Sequence, residues 1–401
     1  MTVLTDIAEL ATCPPDAPDA GLVADAALVW DAGRVVWSGP APSLPERYAD
    51  AERQSAGGRL VVPGLVDGHT HLAHAGDRSD ELVERLEGTS YLDIARRGGG
   101  ILKTVRATRA ASEDALWASA RERLDGMVRQ GVTTVEAKSG YGLSVADEVK
   151  TLRVYRRLAD EGPARVVPTV LAAHAVPPEY AGDRAGYVRL VTDEILPAAA
   201  PLATFADVFV EEGAFTAHET RTIAAAAARL GLGLKLHVDQ LSDGGGAALA
   251  ADLGAVSADH LEYVSDDGIA RLAAAGVVAV SLPIATLVLG QEPLPARRLL
   301  DAGVPVAVAT DFNPGSAPSA SLPLALWLAC TRQRMTPAEA LRGATCVAAR
   351  ALRQPDVGSL VPGARADVAV LDAPGLDRWL YAFQPREAVR TVIGGETVWE
   401  R

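Results

Sequence analysis

The chain has 401 residues, and its charge restricts the kind of partner that it can bind. It carries 38 Lys and Arg against 51 Asp and Glu, a formal net charge of −13 at pH 7. Nucleic acids and anionic membranes are bound by clustered basic residues, so this balance argues against both partners. No apolar run reaches the roughly 18 residues of a membrane helix, and the first residues lack the cationic start of a secretory signal. With only three cysteines, a disulfide framework is excluded, and we expect a cytoplasmic globular protein.

The first sixty residues predict a small β structure. Residues 27–30 and 34–39 have the pattern of short strands, and Asp31-Ala32-Gly33 between them predicts a hairpin-like turn. Proline and glycine interrupt the rest of this stretch.

From residue 60 onward, apolar runs typical of buried strands alternate with helical patterns. The eight runs are 60–66, 132–136, 166–173, 206–211, 232–236, 255–258, 277–281 and 304–310. Thr216 with Glu219 and Thr336 with Glu339 predict capping boxes at the starts of two intervening helices. Eight strand–helix repeats favour a (β/α)8 TIM barrel. A doubly wound open sheet fits less well, because it usually has fewer strands and a glycine-rich first turn.

After about residue 355 the helical patterns stop. Residues 358–363, 366–372 and 388–399 again have the character of short strands. We therefore expect the two ends of the chain, 1–59 and 356–401, to form one small β-sandwich domain beside a barrel domain of residues 60–355.

Five of the seven histidines lie where a predicted barrel strand ends, and one aspartate ends the eighth strand in the same way. Active sites of (β/α)8 barrels are built at the carboxyl ends of the strands, so these positions are candidate site residues. They are His69, His71, His174, His237, His260 and Asp311.

The His69-Thr70-His71 spacing has a physical reason. Residues i and i+2 of an extended strand point to the same side, so both imidazoles can reach one ion, with His237 and Asp311 completing its coordination. Neutral nitrogen ligands, one carboxylate and an open position suit a hydrolytic Zn²⁺ or Fe²⁺. A single barrel histidine can also simply hydrogen-bond a backbone carbonyl, so the hypothesis rests on the whole set.

Longer segments resemble a known family. Residues 63–71, PGLVDGHTH, resemble the metal-binding opening of the amidohydrolase superfamily, and 358–372 resembles the segment that leads its members back into their small β domain. The narrower resemblance is to the imidazolonepropionase family of histidine degradation. It runs in order from about residue 60 to 372 through GGGILKTVRATR (98–109), EAKSGYGL (136–143), AHAVPPEY (173–180), HVDQLS (237–242) and TDFNPG (310–315).

This resemblance implies roles for individual residues. One divalent metal, zinc or iron, would be held by His69, His71, His237 and Asp311. Arg78 would bind the substrate's propionate carboxylate, and the other implied substrate contacts are Tyr91, Tyr141, His174, Asn313 and Gly315. His260 would be a further catalytic histidine, and we expect Asp311 to transfer the proton to the leaving nitrogen. Gln240 stands where some members have a glutamate thought to activate water and others have glutamine.

Two features depart from the superfamily's or family's pattern. Members with two metals use a carboxylated lysine at the end of strand four, where this chain has Glu211-Glu212, while Lys138 follows strand two. We therefore expect one metal per chain. Lys138 with Ser139-Gly140 either contacts the site directly or forms a loop, positioned by its glycine, that carries Tyr141. The segment after strand seven, 282–289, contains no aromatic residue, although the family usually has one there.

The resemblance implies hydrolysis of the cyclic amide of 4-imidazolone-5-propanoate, a small anionic heterocycle, to N-formimino-L-glutamate, by a homodimer. The residues leave two alternatives open. One is a related deaminase or cyclic amidase that acts on another small heterocycle, which the expected loop 284–289, without aromatic residues, would favour. The other is a non-catalytic metal-binding barrel, which the full ligand set together with Arg78 and the tyrosines argues against.

Overall fold

The computed structural model describes residues 1–89, 93–94, 97–383 and 387–401 of the chain. Its secondary structure forms two sheets, one of eight strands and one of seven. Within the described part of the chain, no helix is both long and apolar enough to cross a membrane.

Eight parallel strands form the barrel, in the order of the sequence. They are β5 (Leu65–Asp67), β6 (Val132–Lys138), β7 (Arg165–Ala173), β8 (Phe205–Val210), β9 (Gly233–Val238), β10 (Ser257–His260), β11 (Val278–Ser281) and β12 (Val306–Val308). The barrel closes between its last and first strands, where Thr70 forms a parallel bridge with Phe312. The predicted (β/α)8 fold class is confirmed, and each predicted apolar run contributes to a barrel strand.

The first predicted run, 60–66, is divided between the two sheets. Residues up to Pro63 continue strand β4 (Glu52–Pro63) of the smaller sheet, and Leu65 begins barrel strand β5. Gly64 lies at the change of direction, where a Cβ atom would stand 2.3 Å from the Oγ1 of Thr133. The chain can therefore pass this point only without a side chain.

Helices surround the barrel and cover its apolar strands. The α-helices are Ser79–Leu86, Ile101–Ala110, Glu113–Val128, Val145–Glu161, Arg184–Leu190, Leu196–Ala199, Ala217–Arg229, Gly246–Asp252, Asp266–Ala275, Pro283–Leu289, Ala296–Asp301, Leu322–Gln333, Pro337–Gly343, Cys346–Ala351 and Leu376–Tyr381. Short 3₁₀ turns span Ala41–Ser43, Glu46–Tyr48 and Pro178–Tyr180, and Val191–Ile195 is a π-helical turn. Both predicted capping boxes are present, Thr216 with Glu219 and Thr336 with Glu339.

The smaller sheet joins the two ends of the chain. Its strands are β15 (Glu396–Glu400), β14 (Arg390–Ile393), β13 (Val368–Leu371), β4, β1 (Thr2–Ala11), β2 (Leu22–Asp31) and β3 (Arg34–Pro40), in that spatial order. The turn between β2 and β3 has positive φ at both Ala32 and Gly33, as expected for a tight hairpin. The sheet curls around a core of its own, so that Trp30 Nε1 reaches the carbonyl of Gly395 at 3.2 Å.

Three local predictions were wrong. Residues 358–363 form no strand, because Gly358 and Gly363 have φ of 76° and 94° and Pro362 offers no amide hydrogen. The part of the chain after residue 355, expected to contain no helix, has the helix Leu376–Tyr381. The first amide of this helix donates to Glu9 Oε1 at 2.7 Å. The segment 282–289 is the helix Pro283–Leu289 rather than a loop, with proline at its first position and Gly290 in the left-handed conformation after its end.

Candidate metal centre and active site

The proposed metal ligands come from strands on both sides of the barrel seam. His69 and His71 follow β5, and Asp311 follows β12, where its backbone amide donates to the His69 carbonyl at 3.0 Å. The amide of His71 donates to the carbonyl of Phe312 at 2.8 Å. These bonds that close the barrel also hold the three side chains at one place, and His237 enters from the end of β9.

The polar atoms of these side chains converge. Asp311 Oδ1 lies 3.4 Å from His69 Nε2 and 3.6 Å from His71 Nε2. Ligand atoms of His69, His71 and His237 all lie within 4.8 Å of one another. Ligands bound at about 2.1 Å to a tetrahedral ion would be about 3.4 Å apart, so the observed spacing fits one ion.

The protonation of these groups suits a cation. Burial lowers the pKa of His69, His71 and His237 well below the ordinary value, so all three rings are neutral at pH 7 and can offer a lone pair. The Nε2 atoms of His69 and His237 are buried and have no hydrogen-bond partner among the described residues. A buried polar atom without a partner is costly unless something binds it. The described residues therefore form a site for a divalent metal.

Two buried carboxylates hold the histidine rings by their other nitrogen. Asp259 Oδ2 lies 2.7 Å from Nδ1 of His69, and the carboxylate of Asp207 lies 3.0 Å from Nδ1 of His237. An acceptor at Nδ1 places the ring hydrogen there and leaves Nε2 as the free lone pair. Both rings are thereby set to present Nε2 to the metal.

A second group of potential ligands, His69, Glu136 and Asp259, lies deeper in the barrel. Its carboxylates are already paired with ammonium groups. Lys138 Nζ lies 3.0 Å from Glu136 Oε1 and 3.4 Å from Asp259 Oδ2, and Lys235 Nζ contacts the other oxygen of Glu136. With these cations in place, the geometry favours a single metal position.

His260 lies beside the metal ligands and has an acidic partner. Its ring centroid is 5.5 Å from that of His237, and Glu262 Oε2 lies 3.6 Å from its Nδ1. Burial alone would lower the pKa of His260, but the nearby Glu262 carboxylate raises it above the ordinary value. Thr286, on the helix Pro283–Leu289, donates to the other oxygen of Glu262 at 2.9 Å. This arrangement makes His260 a hydrogen donor at neutral pH.

The predicted aromatic residues line the same mouth of the barrel. The Tyr141 ring lies 5.6 Å from His71 and 5.5 Å from His174, and His174 is stacked on His71 at 5.2 Å. Burial lowers the pKa of His174 to about 4, so it is neutral. Its Nδ1 lies 3.2 Å from the carbonyl of Gly140, and a Cβ at Gly140 would stand 2.9 Å from this nitrogen.

The loop that carries Tyr141 is built around one buried carboxylate. Glu148, on the helix Val145–Glu161, accepts hydrogen bonds from the amides of Gly140, Gly142 and Leu143 at 2.8 to 3.2 Å. Arg109 holds the same loop from outside through the carbonyl of Gly142 at 2.6 Å. The expected role of this loop as a support for Tyr141 therefore has a structural basis.

Arg78 is fixed at the rim of the site. Its Nε donates to Glu81 Oε2 at 2.7 Å, and Glu81 Oε1 accepts from the amide of Gly100 at 2.8 Å. The guanidinium lies directly against Gly315, where a Cβ would be 2.0 Å from Nη1. Arg78 and Gly315 are therefore brought together from β5 and β12, as the resemblance implies. Tyr91, the remaining expected substrate contact, lies outside the described residues.

Two further expected site residues, Asn313 and Gln240, lie in the loops after β12 and β9. The Asn313 amide donates to the Asp311 carbonyl at 2.7 Å and to Ser316 Oγ at 2.9 Å, and its oxygen accepts from the amides of Gly315 and Ser316. Its hydrogen-bonding capacity is used in shaping the loop after β12. Gln240 is buried after β9, and its carbonyl accepts from Gln291 Nε2 at 2.9 Å.

The prediction from sequence missed the acidic residues that support the site. Asp207, Asp259 and Glu262 lie within or directly after barrel strands, and all three are buried. The available signal was a carboxylate inside or beside an apolar strand run, where an acidic side chain is stable only with a specific partner.

The chain is similar to known proteins in both fold and sequence. A family model described as "Amidohydrolase family" matches residues 87–399. Among solved structures, 5-methylcytosine deaminase from Klebsiella pneumoniae has a TM-score of 0.76 at 17% identity, covering 100% of this chain and 97% of that one. Zinc-complexed atrazine chlorohydrolase from Arthrobacter aurescens has a TM-score of 0.73 at 20% identity, covering 100% and 95%. At these identities the structural likeness shows the shared fold alone.

Curated relatives are much closer in sequence. Imidazolonepropionase of Paracoccus denitrificans is 51% identical over 98% of both chains. Imidazolonepropionase of Geobacillus kaustophilus is 47% identical over 95% of this chain and 91% of the relative, and that of Ectopseudomonas mendocina 50% over 92% of each. The chain belongs to the amidohydrolase family and, within it, to the imidazolonepropionases.

Proposed function

We propose that this chain hydrolyses the cyclic amide of 4-imidazolone-5-propanoate to N-formimino-L-glutamate, with one divalent metal, Zn²⁺ or Fe²⁺, per chain. The observation that carries the proposal is the convergence of His69, His71 and Asp311 on one point beside His260. Sequence identity of 51% to an imidazolonepropionase over 98% of the chain supports the choice of substrate.

His69, His71, His237 and Asp311 would hold the metal, because they supply three neutral nitrogens and one carboxylate from the ends of three strands, β5, β9 and β12. A divalent cation at this position supplies an activated water and polarises the carbonyl that is attacked. The remaining steps belong to side chains of the protein.

In the reaction, an oxygen–carbon bond forms at the ring carbonyl, and the bond between that carbon and the ring nitrogen breaks. Burial raises the pKa of Asp311 to about 6 in the metal-free protein. With the metal bound, a carboxylate oxygen that does not coordinate it could accept a proton from water and pass it on. We assign to Asp311 the transfer of the proton from water to the leaving nitrogen. His260, whose ring lies beside the Glu262 carboxylate, would donate a hydrogen bond to the oxygen on which negative charge develops.

Gln240 takes no part as a base, because its amide is neutral and does not accept a proton at any ordinary pH. It can hydrogen-bond the attacking water and so orient it. Because position 240 is occupied by glutamine, we assign the role of general base to Asp311.

Substrate selection would depend on local positive charge. The net charge of −13 opposes an anionic substrate over the whole surface. Arg78 would bind the propionate carboxylate, while Tyr141 and His174 would contact the ring from the side of His71. The helix Pro283–Leu289 has no aromatic residue that could stack on the substrate ring. Its Thr286 instead donates a hydrogen bond to Glu262, the acidic neighbour of His260.

The test is an assay of the purified protein on freshly generated 4-imidazolone-5-propanoate, followed by ultraviolet absorbance and by detection of N-formimino-glutamate. A panel of other cyclic amides and amino-heterocycles tests the alternative of a related amidase or deaminase. Replacing Arg78 by Met should raise KM about 10- to 150-fold, as expected for a lost charge-assisted contact of about 1.5–3 kcal/mol. An unchanged KM, or faster turnover of another heterocycle, would overturn the substrate assignment. The homodimer expected from the resemblance stays a prediction that light scattering can test.

A further inference from the structure

Beneath the proposed metal position, one ammonium group lies among three buried carboxylates. Lys138 ends strand β6, and its Nζ lies 2.6 Å from Asp207 Oδ2, 3.0 Å from Glu136 Oε1 and 3.4 Å from Asp259 Oδ2. All four side chains are 0% exposed. A lysine at this depth is unusual, and it is stable here because its partners carry negative charge.

Two of these three carboxylates are the ones that bind the histidine rings. Asp207 accepts from Nδ1 of His237 and Asp259 from Nδ1 of His69, so a single ammonium contacts both ring-holding groups. Ser257 Oγ donates to the remaining oxygen of Asp259 at 2.6 Å. Lys138 is therefore connected, through one carboxylate each, to two of the four proposed ligands. These ligands, His69 and His237, lie on strands that are far apart in sequence.

We propose that Lys138 is a positioning residue for the metal centre. Its ammonium holds Asp207 and Asp259 side by side despite their like charge, with one acceptor oxygen of each aimed at a ring Nδ1. His69 and His237 are then kept in the tautomer with hydrogen on Nδ1, and both present Nε2 to the metal. This inference rests on the proposed metal-dependent function.

Without the ammonium, the two buried carboxylates would lose the one cation that contacts both of them and would turn apart to reduce their repulsion. The two rings would lose their fixed orientation and tautomer. Loss of such outer hydrogen-bond partners typically weakens metal binding by about 10- to 100-fold.

Lys235 supplies a matched control. It is also 0% exposed inside the barrel, and its Nζ contacts Glu136 and, at 3.3 Å, the carbonyl of Gly68. Neither of these acceptors is hydrogen-bonded to a histidine ring. Replacing either lysine by methionine removes one buried positive charge of the same kind, but only the change at 138 removes the contact to the ring-holding carboxylates.

The experiment measures Zn²⁺ affinity by competition with a chromogenic chelator for the metal-free wild type, Lys138→Met and Lys235→Met. We expect Lys138→Met to weaken Zn²⁺ binding about 10- to 100-fold and Lys235→Met less than about threefold, while both lower the melting temperature. Equal affinities of the two variants would overturn the proposal.

A second measurement uses the wild type alone, so it remains decisive if Lys138→Met does not fold. Nitrogen-15 NMR of the metal-free protein should show His69 and His237 protonated on Nδ1, and protonation on Nε2 would overturn the proposal. Failure of the proposed function gives a different pattern, since the wild type itself would then neither bind Zn²⁺ tightly nor turn over the imidazolone.

Discussion

The Nδ1 atom of His260 lies 3.6 Å from Oε2 of Glu262, and both side chains are buried at the mouth of the barrel. This relationship explains how a histidine that burial should keep neutral has a raised pKa. His260 adopts a positive φ of 82°, so the backbone turns sharply as strand β10 ends and brings Glu262 back towards the ring. The pair therefore places a histidine with an acidic neighbour beside the proposed metal ligands.

Replacing Glu262 by Gln should lower kcat about 10- to 100-fold and leave KM nearly unchanged, because the change removes the negative charge that raises the pKa of His260 and strengthens it as a hydrogen donor. Steady-state kinetics on the imidazolone substrate measure the effect. Replacing Thr286 by Val leaves the Glu262 carboxylate in place and should lower kcat much less. A kcat for Glu262→Gln equal to that of the wild type would exclude this role.

Replacing Gly315 by Ala should raise KM about tenfold, with kcat changed less than about threefold. The added Cβ would be 2.0 Å from Arg78 Nη1, so the flexible guanidinium must move from its position while the metal site stays intact. Gly182→Ala is the matched control, since a Cβ at that glycine has no neighbour within 4 Å. If both variants have the same KM, Arg78 does not bind the substrate from this position.

The stability of the protein at mildly acidic pH should depend on His74. Its ring is buried, and this burial, together with the nearby Arg123 guanidinium, lowers its pKa to about 3. In the unfolded chain the histidine has a pKa near 6.5, so between pH 6.5 and about 3 it binds a proton that the folded chain does not bind. The free energy of unfolding therefore falls as the pH drops below about 6.5. The lowered pKa of His74 alone should reduce the free energy of unfolding by about 2 kcal/mol between pH 7 and pH 5.

His74→Gln should remove that part of the pH dependence, measured as the free energy of unfolding in urea at pH 7 and pH 5. The wild type should lose about 2 kcal/mol more than the variant between the two pH values. Parallel losses in both proteins would show that His74 does not carry this dependence.

The barrel and its principal site could be predicted from the sequence because their signals are local. The His69-Thr70-His71 spacing and the position of Asp311 at the end of an apolar run depend only on strand periodicity and on the carboxyl ends of strands. The capping box of Thr216 and Glu219 is likewise complete within four residues.

The parts that could not be predicted depend on contacts between distant segments. Glu9 caps a helix that begins at Leu376, and Lys138 meets Asp207 and Asp259 only after the barrel has closed. The division of the run 60–66 between two sheets follows from a close approach of Gly64 to Thr133, which no periodicity shows. Strand β1 also has no clear pattern of its own, and it is defined by pairing with β2 and β4.

The most direct test of the account is metal titration of the chelator-treated protein, with turnover of freshly generated 4-imidazolone-5-propanoate measured at each step. We expect activity to be lost when the metal is removed and to rise linearly until one equivalent of Zn²⁺ or Fe²⁺ is bound per chain. Asp311→Asn, carried through the same titration, should neither bind the metal tightly nor recover activity. Full activity of the metal-free wild type, or a requirement for two equivalents, would contradict the account.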